Sequence, residues 1–321
     1  MNRIEYLLMK SLAIIIPAYK NTYLHAALDS ISKQTSKDFT VYIGDDCSPY
    51  DLKSIVEEFS DKIDIVYHRF ETNIGGTDLV AQWERCIALS TDEPYIWLFS
   101  DDDIMQHKCV ESFLRLPLSI KDNYIVHFDI SIIDEFSEGK IVDVKDYPLC
   151  LTAKEYLDKK LKGELISFVV EFIFPRKVYN RANGFQNYDL AWGSDFMTWL
   201  KFAGICNGIY SVVAENARVL WRKSNENISP DKSYPILIRK FNSLIENAAY
   251  IKYFLSKNGF KPTFMYSKFV WGEILRNRTY LTTVDIHKLG RDFRKKVGYY
   301  LYSFIAQWYC IIRVLCKNNR L

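Results

Sequence analysis

Short apolar runs alternate with amphipathic stretches over the first third of the chain. Leu12 to Ile16 is a continuous apolar run closed by Pro17, the pattern of a strand buried on both faces. Asn21 then stands where it can cap a helix that carries Leu24, Leu28 and Ile31 on one face. Phe39 to Ile43 predicts a second strand, Leu52, Ile55, Val56 and Phe59 mark a second helical stripe, and Ile63 to Tyr67 predicts a third strand. Asn73-Ile-Gly-Gly76 breaks the chain before a helix over residues 77–89, and Tyr95 to Phe99 is a fourth strand. This β-α-β-α order over residues 12–103 predicts an α/β domain, a mostly parallel sheet with helices on both faces. In such sheets ligands bind beyond the carboxyl ends of the strands.

Further along, Tyr124 to Asp129 reads as another strand, and the apolar stretch Phe168 to Phe174 is open between strand and helix. Residues 130–195 are less regular, as loops shaping a second ligand's pocket would be. From Asn227 onward the pattern is helical, so the expected division is residues 1–230 as one α/β domain and 231–321 as a helical C-terminal region. Within the domain, residues 11–105 form the half expected to bind nucleotide and residues 106–230 the other half. The first residues, Met1 to Lys10, are read as a lead-in to the first strand, because Glu5 interrupts a short apolar stretch.

Two of the predicted strands end in carboxylates. Val41 to Gly44 runs into Asp45 and Asp46, and Tyr95 to Phe99 runs through Ser100 into Asp101, Asp102 and Asp103. Three adjacent carboxylates are costly to bury unless water, a cation or backbone donors meet them. A divalent cation carrying a phosphorylated ligand meets that need, with capping of the helix around Val110, Phe113 and Leu114 as the structural alternative. Asp45 and Asp46 suit hydrogen bonds from a base or ribose hydroxyls, with an Asx-turn as their alternative. Tyr19 is placed to stack on a base, and Arg85 is the nearest cation for a diphosphate unless it pairs with Glu84 at the surface.

Charge changes the picture of the C-terminal region. Residues 232–321 hold 17 Lys and Arg against 4 Asp and Glu, net +13, which leaves −10 on the remainder of a chain whose total is +3. A basic segment on an acidic body predicts an anionic partner, and with no nucleic-acid motif beside it the expected partner is an anionic membrane surface. Val297, Tyr300, Leu301, Phe304, Trp308, Ile311, Ile312 and Leu315 form an apolar stripe at helical spacing, too short to span a bilayer. The stripe suits a helix lying in a membrane interface, a helix docked on the domain, or a homodimer seam. Seven scattered cysteines argue against a disulfide framework or a Cys-ligated zinc site and favour a reducing, cytoplasmic setting.

Four stretches, in order, resemble the inverting family 2 glycosyltransferases of the GT-A fold, and together they cover residues 11–230. Leu12 to Asn21 resembles that family's first strand and its Pro-x-Tyr-Asn turn, with Lys20 interposed between Tyr19 and Asn21. Ile43-Gly-Asp-Asp-Cys-Ser48 resembles its Val-Asp-Asp-Gly-Ser segment, Ser100 to Met105 its metal-binding Asp-x-Asp region, and Gly193-Ser-Asp-Phe196 the motif that supplies the base. The resemblance implies a nucleotide site of Pro17, Tyr19, Asp45, Asp46, Asn73, Arg85 and Asp101, a Mg2+ or Mn2+ site among Asp101, Asp102 and Asp103, and Asp195 as catalytic base. Ser100 replaces the first Asp of the metal motif, so either Asp102 alone or an Asp101/Asp103 pair is the implied ligand. Ser224 stands where many members have a metal-binding His. The implied activity is sugar transfer from a nucleotide-diphosphate sugar to a lipid-linked saccharide or polysaccharide at the inner face of the cytoplasmic membrane. A nucleotidyltransferase is the competing enzyme, but Pro17 to Asn21 lacks its glycine-rich phosphate loop. A non-catalytic module on the same scaffold has no chemical need for both Asp195 and the acidic triplet.

Overall fold

The computed structural model describes residues 10–134, 140–224, 231–261, 263–298 and 300–318. The lead-in over residues 1–9, the expected domain boundary at 230 and residues 225–229 of the stretch following Ser224 lie outside the described residues.

The first third follows the sequence closely: β1 (Leu12–Ala18), α1 (Leu24–Ser32), β2 (Phe39–Asp45), α2 (Leu52–Glu57), β3 (Ile65–Arg69), α3 (Leu79–Ile87) and β4 (Tyr95–Leu98). Alternation along the strands divides two layers of core. Ala13, Ile15, Ile96 and Leu98 pack with Val80, Trp83 and Ile87 of α3, whereas Leu12, Ile14, Ile16, Val41 and Trp97 pack with Leu24, Leu28 and Ile31 of α1. Burial on both faces is why these strands read as continuous apolar runs. The capping of α1 differs from expectation: its first residue follows Tyr23, and Asn21 lies in the turn before it with no cap made by a side chain. Asp51 and Asp78 do cap α2 and α3, accepting from the backbone N–H of Ser54 and Ala81.

The chain continues through β5 (Ile104–Met105), α4 (Cys109–Leu114), α5 (Leu118–Lys121), β6 (Ile125–Phe128), β7 (Ile130–Ile133), β8 (Lys140–Asp143), β9 (Cys150–Leu151) and α6 (Ala153–Lys162). Then come β10 (Phe172–Pro175), α7 (Arg176–Ala182), α8 (Ser194–Ile205), β11 (Ile209–Val212) and β12 (Val219–Arg222). The main sheet has eight strands in the order β3-β2-β1-β4-β10-β6-β11-β9. Four of its pairings are parallel, and β10, from the segment left open between strand and helix, runs antiparallel between β4 and β6. Register aligns Ala18 with Asp45 and Ile15 with Leu98, so β1, β2 and β4 end along one edge. A second sheet, β5-β12-β7-β8, folds under that edge and brings the end of β12 to the segment following β4.

The C-terminal region is α9 (Tyr234–Lys257), α10 (Met265–Arg276), α11 (Thr283–Lys296) and α12 (Tyr300–Asn318), packed on one another and, through α9 and α10, on α8 and α6. The apolar stripe of α12 divides. Ser303, Gln307, Cys310 and Ile311 face inward, while Leu301, Phe304, Ile305, Trp308, Tyr309, Ile312 and Leu315 are exposed. Docking thus uses a small and polar face, with Gln307 bonded to His287 and Arg294 of α11, and leaves the apolar face outside. No described helix is long and apolar enough to cross a membrane.

Candidate active site

One cavity of about 900 Å3 opens at the carboxyl edge of the sheet. Of the expected site residues, Pro17, Tyr19, Asp46, Asn73, Asp101, Asp102, Asp103 and Asp195 line it. Asp45 and Arg85 do not, and the reason is electrostatic.

At the end of β2 both carboxylates already have protein partners. Asp45 is fully buried and accepts from Arg69 (2.7 Å), Tyr67 (2.5 Å) and the backbone of Ser48 (2.7 Å). It anchors the turn after β2 and stands behind the cavity wall rather than on it. Asp46 accepts from the N–H of Ile74 (2.9 Å) and Gly75 (2.8 Å) and is ion-paired with Arg85. Gly75 is required here because a Cβ would stand 2.6 Å from the Asp46 carboxylate. Arg85 also donates to Thr72 O and stacks on Phe70, so it braces Asp46, and its expected alternative partner Glu84 instead accepts from Tyr179 and Phe185. Asp46 faces the cavity as an oriented carboxylate, and Asn73 beside it accepts from Gly76 N–H.

At the end of β4 the three carboxylates differ. Asp103 has both oxygens engaged, one with the Arg222 N–H (2.6 Å) and one with Ser100 Oγ (2.6 Å). Asp101 Oδ2 accepts from the N–H groups of Tyr19 (2.9 Å) and Lys20 (3.0 Å), tying the turn after β1 to this edge. Burial, followed by the neighbouring charge of Asp102, pushes Asp101 up to about 6 and Asp103 well above the carboxylate range. Asp102 is paired with the Lys20 ammonium at 3.8 Å on the cavity wall. None of the three caps α4, whose cap position is Lys108. Arg222, which sequence reading passed over, supports the triplet from below: its guanidinium donates to Asp102 O and Asp134 O and lies over Tyr23.

Asp195 enters the same cavity from the first turn of α8. Gly193 just before it has φ +82, and a Cβ there would overlap the side chain of Asn247 on α9, so only glycine fits. The preceding loop holds Leu190 and Ala191 at φ 59 and 52, and α9 clamps it: Arg239 donates twice to Asp189 (2.8 and 2.6 Å), Ser243 donates to Asp189 O, and Asn247 to Trp192 O. Burial raises the Asp195 carboxyl while the Lys160 ammonium opposes the shift. Lys160 itself bonds Ser167 Oγ at 2.8 Å and lies over Phe196. Beyond Asp195 the wall turns apolar, with Leu244, Ala248 and Ile251 of α9 and Phe269 and Val270 of α10. The C-terminal helices therefore complete the cavity, a role their basic composition did not suggest.

Among the described residues no group of three or more His, Cys, Asp or Glu side chains is arranged to hold a metal ion. Asp102 is a hard oxygen donor at the cavity wall, so a divalent cation fits there once phosphate oxygens supply further ligands.

A family model described as "Glycosyl transferase family 2" matches residues 13–171. An uncharacterized glycosyltransferase of Haemophilus influenzae is 33% identical over 119 residues, 36% of this chain and 38% of that protein. The poly(ribitol-phosphate) β-N-acetylglucosaminyltransferase TarS of Staphylococcus aureus is 33% identical over 98 residues, 30% of this chain and 16% of its own length. The structure of TarS 1–349 in complex with UDP-GlcNAc superposes with a TM-score of 0.55 at 15% identity, covering 92% of this chain and 91% of that one. That of GalNAc-T7 with UDP, GalNAc and Mn2+ gives 0.53 at 14% identity, covering 91% and 57%. The matched stretches span well under half of these curated relatives, and the structural likeness establishes the GT-A fold.

Proposed function

We propose, from the glycosyl transferase family 2 domain matched over residues 13–171, that the chain moves a sugar, with inversion, from a nucleotide-diphosphate sugar to a hydroxyl of a lipid-linked saccharide or polysaccharide. The observation that carries this reading is the meeting of Asp102 and Asp195, from elements far apart in sequence, in one cavity. Tyr19, Asp46 and Asn73 receive the base and ribose at one end, and the diphosphate lies toward Asp102. Asp195 accepts the proton of the acceptor hydroxyl as that oxygen bonds to the anomeric carbon, and the bond to the nucleoside diphosphate breaks on the opposite face. Its raised pKa makes it the stronger base for that transfer. Asp102 would hold a Mg2+ or Mn2+ ion, which would supply Lewis-acid stabilisation of the departing diphosphate. Arg222 and Ser100 hold the triplet in place, and the α9 clamp fixes Asp195.

A thermal-shift screen of UDP, GDP, CDP and dTDP with Mn2+ tests the donor site, and one of them should raise the melting temperature. Asp195→Asn should keep that shift while turnover falls roughly 10²–10⁴-fold, the usual contribution of a positioned base. Normal turnover in this variant removes Asp195 from the role.

The apolar inner wall and the exposed apolar face of α12, flanked by Arg291, Arg294, Lys295, Lys296 and Arg313, support a lipid-linked acceptor met at the inner face of the cytoplasmic membrane. Flotation with vesicles containing anionic lipid should carry the chain, and Leu301→Ser with Trp308→Ser should release it. Retained flotation in that folded double variant excludes this face as the anchor, and loss of a dimer in its place makes the face a homodimer seam.

A further inference from the structure

We propose that the Lys20 ammonium is a built-in counter-charge for the donor diphosphate, alternating between Asp102 and the phosphate oxygens. The inference rests on the donor reading above. Lys20 is the residue interposed in the turn after β1, where the family resemblance has Tyr followed directly by Asn. Its backbone is fixed by the Asp101 carboxylate at 3.0 Å, and its side chain reaches along the cavity wall to within 3.8 Å of Asp102.

The surrounding charges give that position its significance. A diphosphate entering beside three carboxylates needs positive charge. Arg69, Arg85 and Arg222, the nearest guanidiniums, hold Asp45, Asp46 and the triplet backbone, and are not on the cavity wall. Of the lysines and arginines that line the cavity, Lys160 sits at the Asp195 wall against Ser167, and Arg276 pairs with Glu273. Among the described residues, Lys20 is the cavity-lining cation on the triplet side. Its ammonium is a mobile point charge with three donors on a flexible stem, suited to changing partners.

Metal is the other source of positive charge, and here its ligand set is thin. Asp103 is engaged on both oxygens, Asp101 accepts from the N–H groups of Tyr19 and Lys20, and among the described residues no group of three His, Cys, Asp or Glu side chains is arranged to hold a metal. Lys20 and a divalent cation also compete for Asp102, because both are attracted to the same carboxylate. Removing the ammonium therefore has two opposite effects: metal-free binding of a nucleoside diphosphate weakens, and binding of the metal alone tightens. A purely structural role for Lys20 moves both in the same direction or neither.

The test is titration calorimetry on the full chain, wild type, Lys20→Met and Lys20→Arg, with UDP, GDP, CDP and dTDP in EDTA and, separately, with Mn2+ alone. The expected result is a nucleoside diphosphate bound by wild type in EDTA, about tenfold more weakly by Lys20→Met, with Lys20→Arg restoring most of it. Mn2+ alone should bind Lys20→Met several-fold more tightly, as expected for loss of one competing charge near Asp102. Equal metal-free affinity in wild type and Lys20→Met overturns the inference while leaving the donor site in place. Parallel weakening of both ligands in Lys20→Met overturns it too, as the signature of a damaged site. Failure of wild type to bind any of UDP, GDP, CDP and dTDP, with or without Mn2+, overturns the donor reading, and the inference with it.

Discussion

Two strand ends of one sheet carry carboxylates a few ångströms from the same cavity, and their surroundings are opposite in kind. At the end of β2, Asp45 and Asp46 are each ion-paired with an arginine and bonded to backbone N–H groups. At the end of β4, Asp101 and Asp103 are held by backbone and hydroxyl donors, Lys20 stands 3.8 Å from the Asp102 carboxylate, and the Arg222 guanidinium donates to the Asp102 backbone carbonyl. A carboxylate that meets an internal cation becomes part of the scaffold, and one that meets only neutral donors retains an appetite for positive charge. The β2 end is thus largely neutralised from within, with Asp46 still facing the cavity, whereas the β4 end keeps more of its negative charge unbalanced toward it.

Substitutions at the two ends should separate these roles. Asp102→Asn is expected to have the largest effect, lowering transfer roughly a hundredfold or more by removing the carboxylate proposed to hold the metal, with the melting temperature nearly unchanged. A drop in melting temperature of several degrees, measured by circular dichroism, makes Asp102 a scaffold residue and erases the contrast. Arg85→Ala should do the reverse: Asp46 is left buried without its cation, and unfolding by urea should show a loss of about 3 kcal/mol. An unchanged urea midpoint means Asp46 is sufficiently held by Ile74 and Gly75 N–H alone.

The smallest effect concerns Glu171, a fully buried carboxyl just before β10 with one oxygen bonded to Phe168 N–H and the other without a hydrogen-bond partner. Burial raises its pKa well above the ordinary value, followed in size by the opposing pull of that backbone bond. The folded chain then holds a proton that the unfolded chain releases, so its contribution becomes more unfavourable as pH rises above the unfolded pKa of about 4.3. Glu171→Gln should be near neutral at pH 4 and increasingly stabilising toward pH 8. A melting-temperature difference that does not grow with pH shows that Glu171 has a compensating cation when ionised.

The first third of the fold was legible because each element there carries its own signal. β1, β2 and β4 are buried and largely apolar, β3 at the sheet edge keeps a shorter apolar run, and the helices between them show one apolar face, so the order of β1 to β4 follows from the pattern alone. The segment that became β10 was not assignable, because a short apolar run has no period to distinguish strand from helix. The acidic triplet and Asp195 stood out as chemistry. Arg222 and Lys160 did not: an arginine at the end of a strand and a lysine among four on α6 differ from surface charges only in what the fold brings against them. The internal pairing of Asp45 and Arg85 was hidden for the same reason, since their partners come from β3 and from the turn before α3.

By itself the sequence determined the layered α/β framework, the edge at which charge collects, and the residue types able to bind a nucleotide, a metal and a proton there. These depend on local periodicity and on side-chain chemistry, which are written position by position. The tertiary structure alone decided which carboxylates are neutralised internally, that α9 clamps the loop carrying Asp195, and that α12 presents its apolar face outward. Each of those is a matter of which groups meet across long separations in the chain. The strength of a charge depends on its neighbours, and the fold chooses the neighbours.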